Sequence, residues 1–398
     1  EREGRTGFAH LFEHMLFQGS ANDGTNEHFE LIQRAGGTLN GSTWLDRTNY
    51  FETVPSNHLE QILWLEADRM GHLLPAMTQA KLDLQRDVVK NERRWSVDNQ
   101  PYGTWWERLP ALAFPQSHPF HHSLIGSMED LSGASLEDIA HFFRTFYTPD
   151  NAVLTIAGDF DPSEARTMVA RHFGNIPPGE NRPALEGLDL PSRIGEWRRE
   201  VVSDEVMLPR LFLAFRSPVF GSESYYAASV CGAILGMKKG SRLHRTLVRE
   251  RQVAAEVTAF TYDLAKGSDL LVVDATARPE VSPQDLEAAV VRQIDQLFSE
   301  GVTEDEIERA VAMIETDFTA SMQSAAERAD KLSMFATYFG DPALINRQVE
   351  QYARVTAEDV NHFAHTYLGP DNRASLLFIP RDPAELAVAQ AGRATAGV

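Results

Sequence analysis

Apolar positions recur at helical spacing in several stretches of the chain and alternate with polar ones in others. Residues 7–17 read Gly-Phe-Ala-His-Leu-Phe-Glu-His-Met-Leu-Phe, with no breaker, and predict a helix. Strands are predicted near 37–55. Ser56-Asn57 is a helix-capping pair ahead of Leu59, Ile62, Leu63 and Leu65, and a longer helix follows around 77–96. Farther on, the pattern gives a strand at 210–216, helices at 223–236 and 241–251, and a hairpin over 254–278 turning at Lys266-Gly267-Ser268. Helical spacing then runs from Leu286 to Phe298 and from Glu304 to about Tyr338. Strands and helices interleave, which argues for helices packed on mostly antiparallel sheets, an α+β class.

The pattern also repeats. Residues 135–165 and 356–386 align without a gap: Asp138 falls on Asp359 and Asn151 on Asn372, a constant offset of 221 positions. Each copy reads as a capped helix, a Pro-Asp-Asn turn and an apolar strand, Ala152 to Ala157 in the first and Ala374 to Ile379 in the second. Between the halves, 177–193 carries Pro177, Pro178, Gly179, Pro183, Gly187 and Pro191 with little periodicity, as an extended linker would. The expectation is two homologous domains, 1–176 and 201–398, joined by a linker over 177–200.

Composition narrows the function. The chain has 398 residues, 43% hydrophobic and 24% charged, as folded proteins have, with a net charge of −20. Such acidity opposes a broad nucleic-acid or anionic-membrane surface. No apolar run reaches the roughly 18 residues of a membrane helix. The single cysteine, Cys231, excludes an intrachain disulfide and a cysteine-based zinc cluster. The chain opens at Glu1-Arg2-Glu3-Gly4 and reads as the middle of something longer. A soluble protein, periplasmic or cytoplasmic, is expected. There is no Gly-rich phosphate loop and no convincing Ser-His-Asp or Cys-His set. His118, His121 and His122 cluster around Pro119 without a spaced acid, which reads as surface.

The sharpest chemical signal is His10-Leu11-Phe12-Glu13-His14. On a helix, His10 and His14 stand one turn apart on one face, so both imidazoles can reach one Zn²⁺. Glu13 lies beside them, placed to take a proton from water. The motif is H-x-x-E-H, the mark of the inverzincins. With 13 histidines in the chain, a chance match is expected roughly 0.03 times. A catalytic zinc needs a third protein ligand. Gln85-Arg-Asp-Val-Val-Lys-Asn-Glu92 offers acids on a predicted helix, but spacing does not select Glu92 over Glu66, Asp68 or Asp87.

These residues, together with Gly36 to Thr43, Asp46 to Tyr50, Val88 to Glu92, Pro149-Asp150-Asn151 and Gly240-Ser241-Arg242-Leu243, resemble the pitrilysin and mitochondrial-processing-peptidase family of zinc metallopeptidases. The resemblance covers nearly the whole chain. It implies one zinc per chain on His10, His14 and Glu92, with Glu13 as catalytic base. It implies endopeptidase action on peptides or unfolded segments held in a cleft between domains. An extended substrate would lie along Asn40, Gly41 and Ser42 by β-augmentation, and Phe17 would line the pocket after the scissile bond. It further implies that the first domain lacks its N-terminal strands. Where the family often carries a Glu behind the ligands, this chain has Gln85, which can still hydrogen-bond there. Where the family usually has Asn-Ala, it has Asn40-Gly41.

Self-sufficient relatives carry an Arg and, seven residues on, a Tyr in their second half. Counting from Ser241-Arg242-Leu243, the two positions hold Val248 and Ala255, or Arg249 and Glu256 with a one-residue slip. Neither register supplies the Tyr; the nearest are Tyr226 and Tyr262. The chain is therefore expected to be the zinc-bearing half of a heterodimer whose related subunit supplies the Arg/Tyr pair, or else a homodimer. The reading of a different class is a non-catalytic peptide-binding or structural subunit.

Overall fold

The structure, a computed structural model, describes residues 4–179 and 188–381. The described chain packs as two compact units that are not consecutive stretches. One holds residues 4–94, 122–179 and 317–348; the other holds 95–121, 188–316 and 349–381.

In the first unit, β1 (Thr38–Thr43) and β2 (Thr48–Thr53) pair antiparallel, with Gly41 opposite Tyr50 and Thr43 opposite Thr48. The Phe8–Met15 helix lies against this hairpin. Gly7 starts it at φ 82°, and a Cβ there would stand 2.5 Å from the Ile125 carbonyl oxygen, so only glycine fits. Phe8, Leu11, Phe12 and Met15 form its underside. They are buried with Leu82 and Val89 of the Gln79–Arg93 helix and with Leu131, Ile139 and Phe143. The 317–348 segment is tied to the hairpin through Asp330, whose Oδ1 accepts from Arg47 and Asn49 at 2.8 Å each.

The second unit is built on a five-stranded sheet of β3 (Glu196–Asp204), β4 (Arg210–Ser217), β5 (Ala254–Thr261), β6 (Asp269–Ala277) and β7 (Asn372–Pro380). The order is β3-β7-β4-β6-β5, with β3 parallel to β7 and every other pair antiparallel. Residues 196–200 of the expected linker are therefore strand, and 180–187 lie outside the described residues. Leu211, Leu213 and Phe215 pack on one face against the Glu223–Gly236, Pro283–Glu300 and Ala357–Tyr367 helices. From the other face of β4, the Phe212 ring stacks on Trp105 at 4.6 Å. Burial on both faces explains the unbroken apolar run of β4.

The repeat is visible in the bonds. The Leu136–Phe146 and Ala357–Tyr367 helices each open with a complete capping box, Ser135 with Asp138 and Thr356 with Asp359. Each is followed by the same bond at the same offset: Asn151 Nδ2 donates to the Phe146 carbonyl and Asn372 Nδ2 to the Tyr367 carbonyl, both at 2.8 Å. Residues 382–386 of the second copy lie outside the described residues.

Four local expectations need correction. Ala152 to Ala157 is not a strand. Its counterpart β7 has β4 and β3 on its two sides, and 152–157 has no such neighbours among the described residues. Ser56-Asn57 begins a 3₁₀ turn over Ser56–His58, with no side-chain cap on the Leu59–His72 helix. The long helix after 304 breaks into Glu304–Ser321 and Ala325–Phe339, where Ser324 caps the second piece. His118 is not on the surface. It is 2% exposed and stacked on Phe114 at 5.2 Å.

Arg242, from the Gly240-Ser241-Arg242-Leu243 block, is a fold device. Its Nε and Nη2 donate to the two Glu306 oxygens at 2.6 Å each, and Nη2 also to the Gly301 carbonyl at 2.7 Å. Burial alone would raise the Glu306 carboxyl, but the Arg242 bonds and the Thr303 N–H bring it down to about 2. A carboxyl lowered on folding stabilises the fold above its ordinary pKa and loses that contribution as pH falls toward 2. Arg242→Ala leaves a buried uncompensated carboxylate and should cost about 3 kcal/mol at pH 7. Urea midpoints of wild type and variant should differ clearly at pH 7 and converge toward pH 2–3. Equal midpoints at pH 7 would contradict this account.

Candidate metal centre

The Phe8–Met15 helix buries its apolar face and turns His10 and His14 the other way. Their rings sit edge to face with centroids 4.8 Å apart. The Gln79–Arg93 helix, held against the same core by Leu82 and Val89, brings Glu92 to them. Glu92 Oε1 is 3.6 Å from His10 Nε2, and Oε2 is 3.2 Å from His14 Nε2. One donor atom from each of the three residues lies within 4.8 Å of the others. Of the four candidate acids for the third position, Glu92 is the one in this group. Glu66 belongs to a second cluster, with His28 and Glu52, and Asp68 accepts from Ser20 and Asn22.

The electrostatics suit a cation. Burial pushes the His10 imidazole down to about 4, against the pull of Glu92, so the ring is neutral with a lone pair to give. The His14 hydrogen bond, with both histidines nearby, holds Glu92 below the usual carboxylate range despite burial. Two imidazoles and one ionised carboxylate are the donor set of a His₂Glu zinc site. The residues present fit that ion.

Glu13 is buried against β1. Burial raises its carboxyl, and the Thr43 hydroxyl partly offsets this by donating to Oε2 at 2.5 Å. Thr43 Oγ1 is also 3.1 Å from Thr48 Oγ1 across the hairpin. A Cβ at Gly41 would stand 2.8 Å from Glu13 Oε1, so glycine lets the strand lie close over the carboxylate. Sequence reasoning placed Thr43 on the substrate strand and missed its bond to Glu13. Its signal was the Thr43–Thr48 pairing of two strands facing the H-x-x-E-H helix.

The remaining expected residues fall as follows. Asn40 and Ser42 are exposed on β1, whose second edge is unpaired among the described residues. Asn40 Oδ1 accepts from the Gly41 N–H at 2.9 Å, and Ser42 donates to Asn49 at 2.5 Å. Phe17 sits one turn beyond His14, largely buried among His28, Phe29 and Tyr50. Gln85 is 7% exposed on the Gln79–Arg93 helix, two turns before Glu92. In the second unit Arg249, Ala255 and Glu256 are exposed, whereas Tyr226 and Tyr262 are buried. Neither tyrosine is presented to solvent.

The family description "Insulinase (Peptidase family M16)" matches residues 1–124, and "Peptidase M16 inactive domain" matches residues 133–314. The chain is 27% identical over 382 residues to the zinc protease PqqE of Helicobacter pylori, covering 95% of this chain and 84% of that protein. It is 23% identical over 385 residues to the mitochondrial-processing peptidase subunit beta of Blastocladiella emersonii, covering 92% and 78%. A solved structure of a protease from Helicobacter pylori superposes with a TM-score of 0.88 at 26% identity, over 96% of this chain and 90% of that one. No helix among the described residues is long and apolar enough to cross a membrane. With two matches to one family that together span most of its length, the chain belongs to the M16 peptidase family, the insulinase and pitrilysin-like proteins.

Proposed function

We propose that the chain is a zinc-dependent endopeptidase acting on extended peptides or unfolded segments. The observation that carries this reading is the convergence of His10, His14 and Glu92 within 4.8 Å, with Glu13 beside them under β1. The names of relatives such as the PqqE zinc protease support it. Zinc held by the two Nε2 atoms and the Glu92 carboxylate would supply Lewis-acid polarisation of the scissile carbonyl and of water. Glu13 takes the proton from the attacking water and passes it to the leaving amine. Its burial moves its pKa toward the working range of such a base. Thr43 fixes which Glu13 oxygen is free for that proton. Gln85 steadies the helix face behind Glu92. The open edge of β1 at Asn40, Gly41 and Ser42 takes the substrate as an added strand. The peptide first displaces the Asn40 side chain from the Gly41 N–H. Phe17 lines the pocket for the residue after the cut.

We further propose that a related subunit completes the site. The second half offers Val248 or Arg249 and Ala255 or Glu256 where an Arg/Tyr pair would stand, and its nearby tyrosines are buried. That one relative is named as a subunit is in keeping with this.

Four outcomes test the reading. Glu13→Gln should keep zinc but lower peptide turnover by several orders of magnitude, and Glu92→Ala should release zinc to a chelator far more readily than Gln85→Ala. A Glu13→Gln variant within tenfold of wild type at equal zinc content removes Glu13 as base. A Glu92 variant that resists chelator like wild type removes it as ligand, whereas less than stoichiometric zinc in the wild type, not restored by added metal, favours a non-catalytic peptide-binding role. Thr43→Val should cut kcat by about tenfold with zinc retained, and Thr43→Ser should restore most of it; equal loss in both variants would rule out hydroxyl positioning. Finally, the purified chain should be weakly active alone and rise at least tenfold with a related chain carrying the Arg/Tyr pair, as expected when an oxyanion donor is added. Full activity alone, unchanged by such a chain, would overturn the heterodimer.

A further inference from the structure

A second buried cluster stands behind the Phe8–Met15 helix and takes no part in the chemistry above. Arg69 of the Leu59–His72 helix is its centre, with a side chain 5% exposed. Arg69 Nε donates to Glu66 Oε2 at 3.0 Å. Nη2 lies 2.5 Å from Glu66 Oε1 and 3.4 Å from Glu52 Oε1. Opposite, His28 is 2% exposed, its Nε2 3.8 Å from Glu52 and 3.9 Å from Glu66, with no hydrogen-bond partner. One imidazole and two carboxylates share a donor spacing with the His10, His14 and Glu92 group. Here a guanidinium already occupies the cation's place, and a divalent ion beside it would be repelled. The cluster is centred on arginine, not on a metal.

The fork edge of Arg69 faces the carboxylates, and its flat face is turned to aromatic rings. Its Cζ is 4.5 Å from the Tyr50 centroid and 5.4 Å from the Phe17 centroid. Phe17 is fenced by Tyr50 at 5.7 Å, Phe29 at 5.1 Å and His28 edge-on at 6.0 Å. Tyr50 in turn bonds the Tyr147 hydroxyl at 3.0 Å, and Tyr147 packs on Phe12 of the H-x-x-E-H helix at 4.3 Å. Arg69 thus contacts the two rings that flank this helix, one of which leads back into it. A planar guanidinium can grip two carboxylates and cover two rings at once; an ammonium cannot.

We propose that Arg69, clamped by Glu52 and Glu66, is a positioning residue that sets the Phe17–Tyr50 wall and thereby selects the side chain accepted after the scissile bond. This rests on the peptidase reading of Phe17 given above. The test uses two peptides identical except for Phe or Ala at that position. For zinc-loaded wild type, Arg69→Lys and Arg69→Met, kcat/KM is measured on both. Binding of the same pair is measured on the uncleaving Glu13→Gln background. The Phe-to-Ala preference should change about tenfold in Arg69→Met. Arg69→Lys should change it nearly as much, because charge alone does not restore the stack, and zinc content should stay constant in all. Should Arg69→Met not fold, Glu66→Gln, which keeps volume but loosens the clamp, should shift the preference in the same direction by less. If wild type cleaves and these variants keep its preference in both assays, the proposal fails while the peptidase reading stands. If wild type, alone and with a related chain carrying the Arg/Tyr pair, neither cleaves nor binds either peptide, the peptidase reading fails and takes this proposal with it.

Discussion

The site depends on one packing contact: the Phe8–Met15 helix against the Gln79–Arg93 helix. A helix repeats every 3.6 residues, so burying Phe8, Leu11, Phe12 and Met15 fixes where His10 and His14 point. The second helix is locked by Leu82 and Val89, and Val89 is one turn from Glu92. The core that stabilises the first unit therefore sets the separation of the three candidate ligands. No loop carries any of them. A polar constellation on two packed helices is held more closely than one on connecting segments, as a site needing sub-ångström placement requires.

The two halves use a shared pattern differently. Both carry the capped helix, the Asn-to-carbonyl bond and the following extended segment at an offset of 221. In the second half that segment is the buried strand β7, and charged pairs such as Arg242 with Glu306 serve the fold. In the first half the polar investment lies at the surface of the helix pair and on the hairpin above it. The match of 133–314 to an inactive-domain description takes in the end of the first half and much of the second.

Local rules were legible in the sequence. The capping boxes, the H-x-x-E-H spacing, the hairpin turn at Lys266-Gly267-Ser268 and the apolar run of β4 each depend on residues within a few positions of one another. What the sequence withheld was tertiary. Glu92 could not be separated from nearby acids by spacing, because its selection comes from the packing of Val89. The Thr43 hydroxyl finds Glu13 across thirty positions, and Arg69 reaches Glu52 and Tyr50 from another element. Ala152 to Ala157 has the composition of a strand, but strand identity belongs to pairing and that segment has no partner among the described residues. The break before Ala325 was legible in principle, since Ser324 with Glu327 is a cap signature inside a long helical run.

Zinc X-ray absorption on the reconstituted chain tests the central claim most directly. The account predicts one ion per chain, with two imidazole nitrogens and a carboxylate oxygen at about 2.0–2.2 Å and no sulfur. A chain that binds no zinc after reconstitution, or whose ion shows no imidazole ligand, would contradict it and leave the helix pair as scaffold alone.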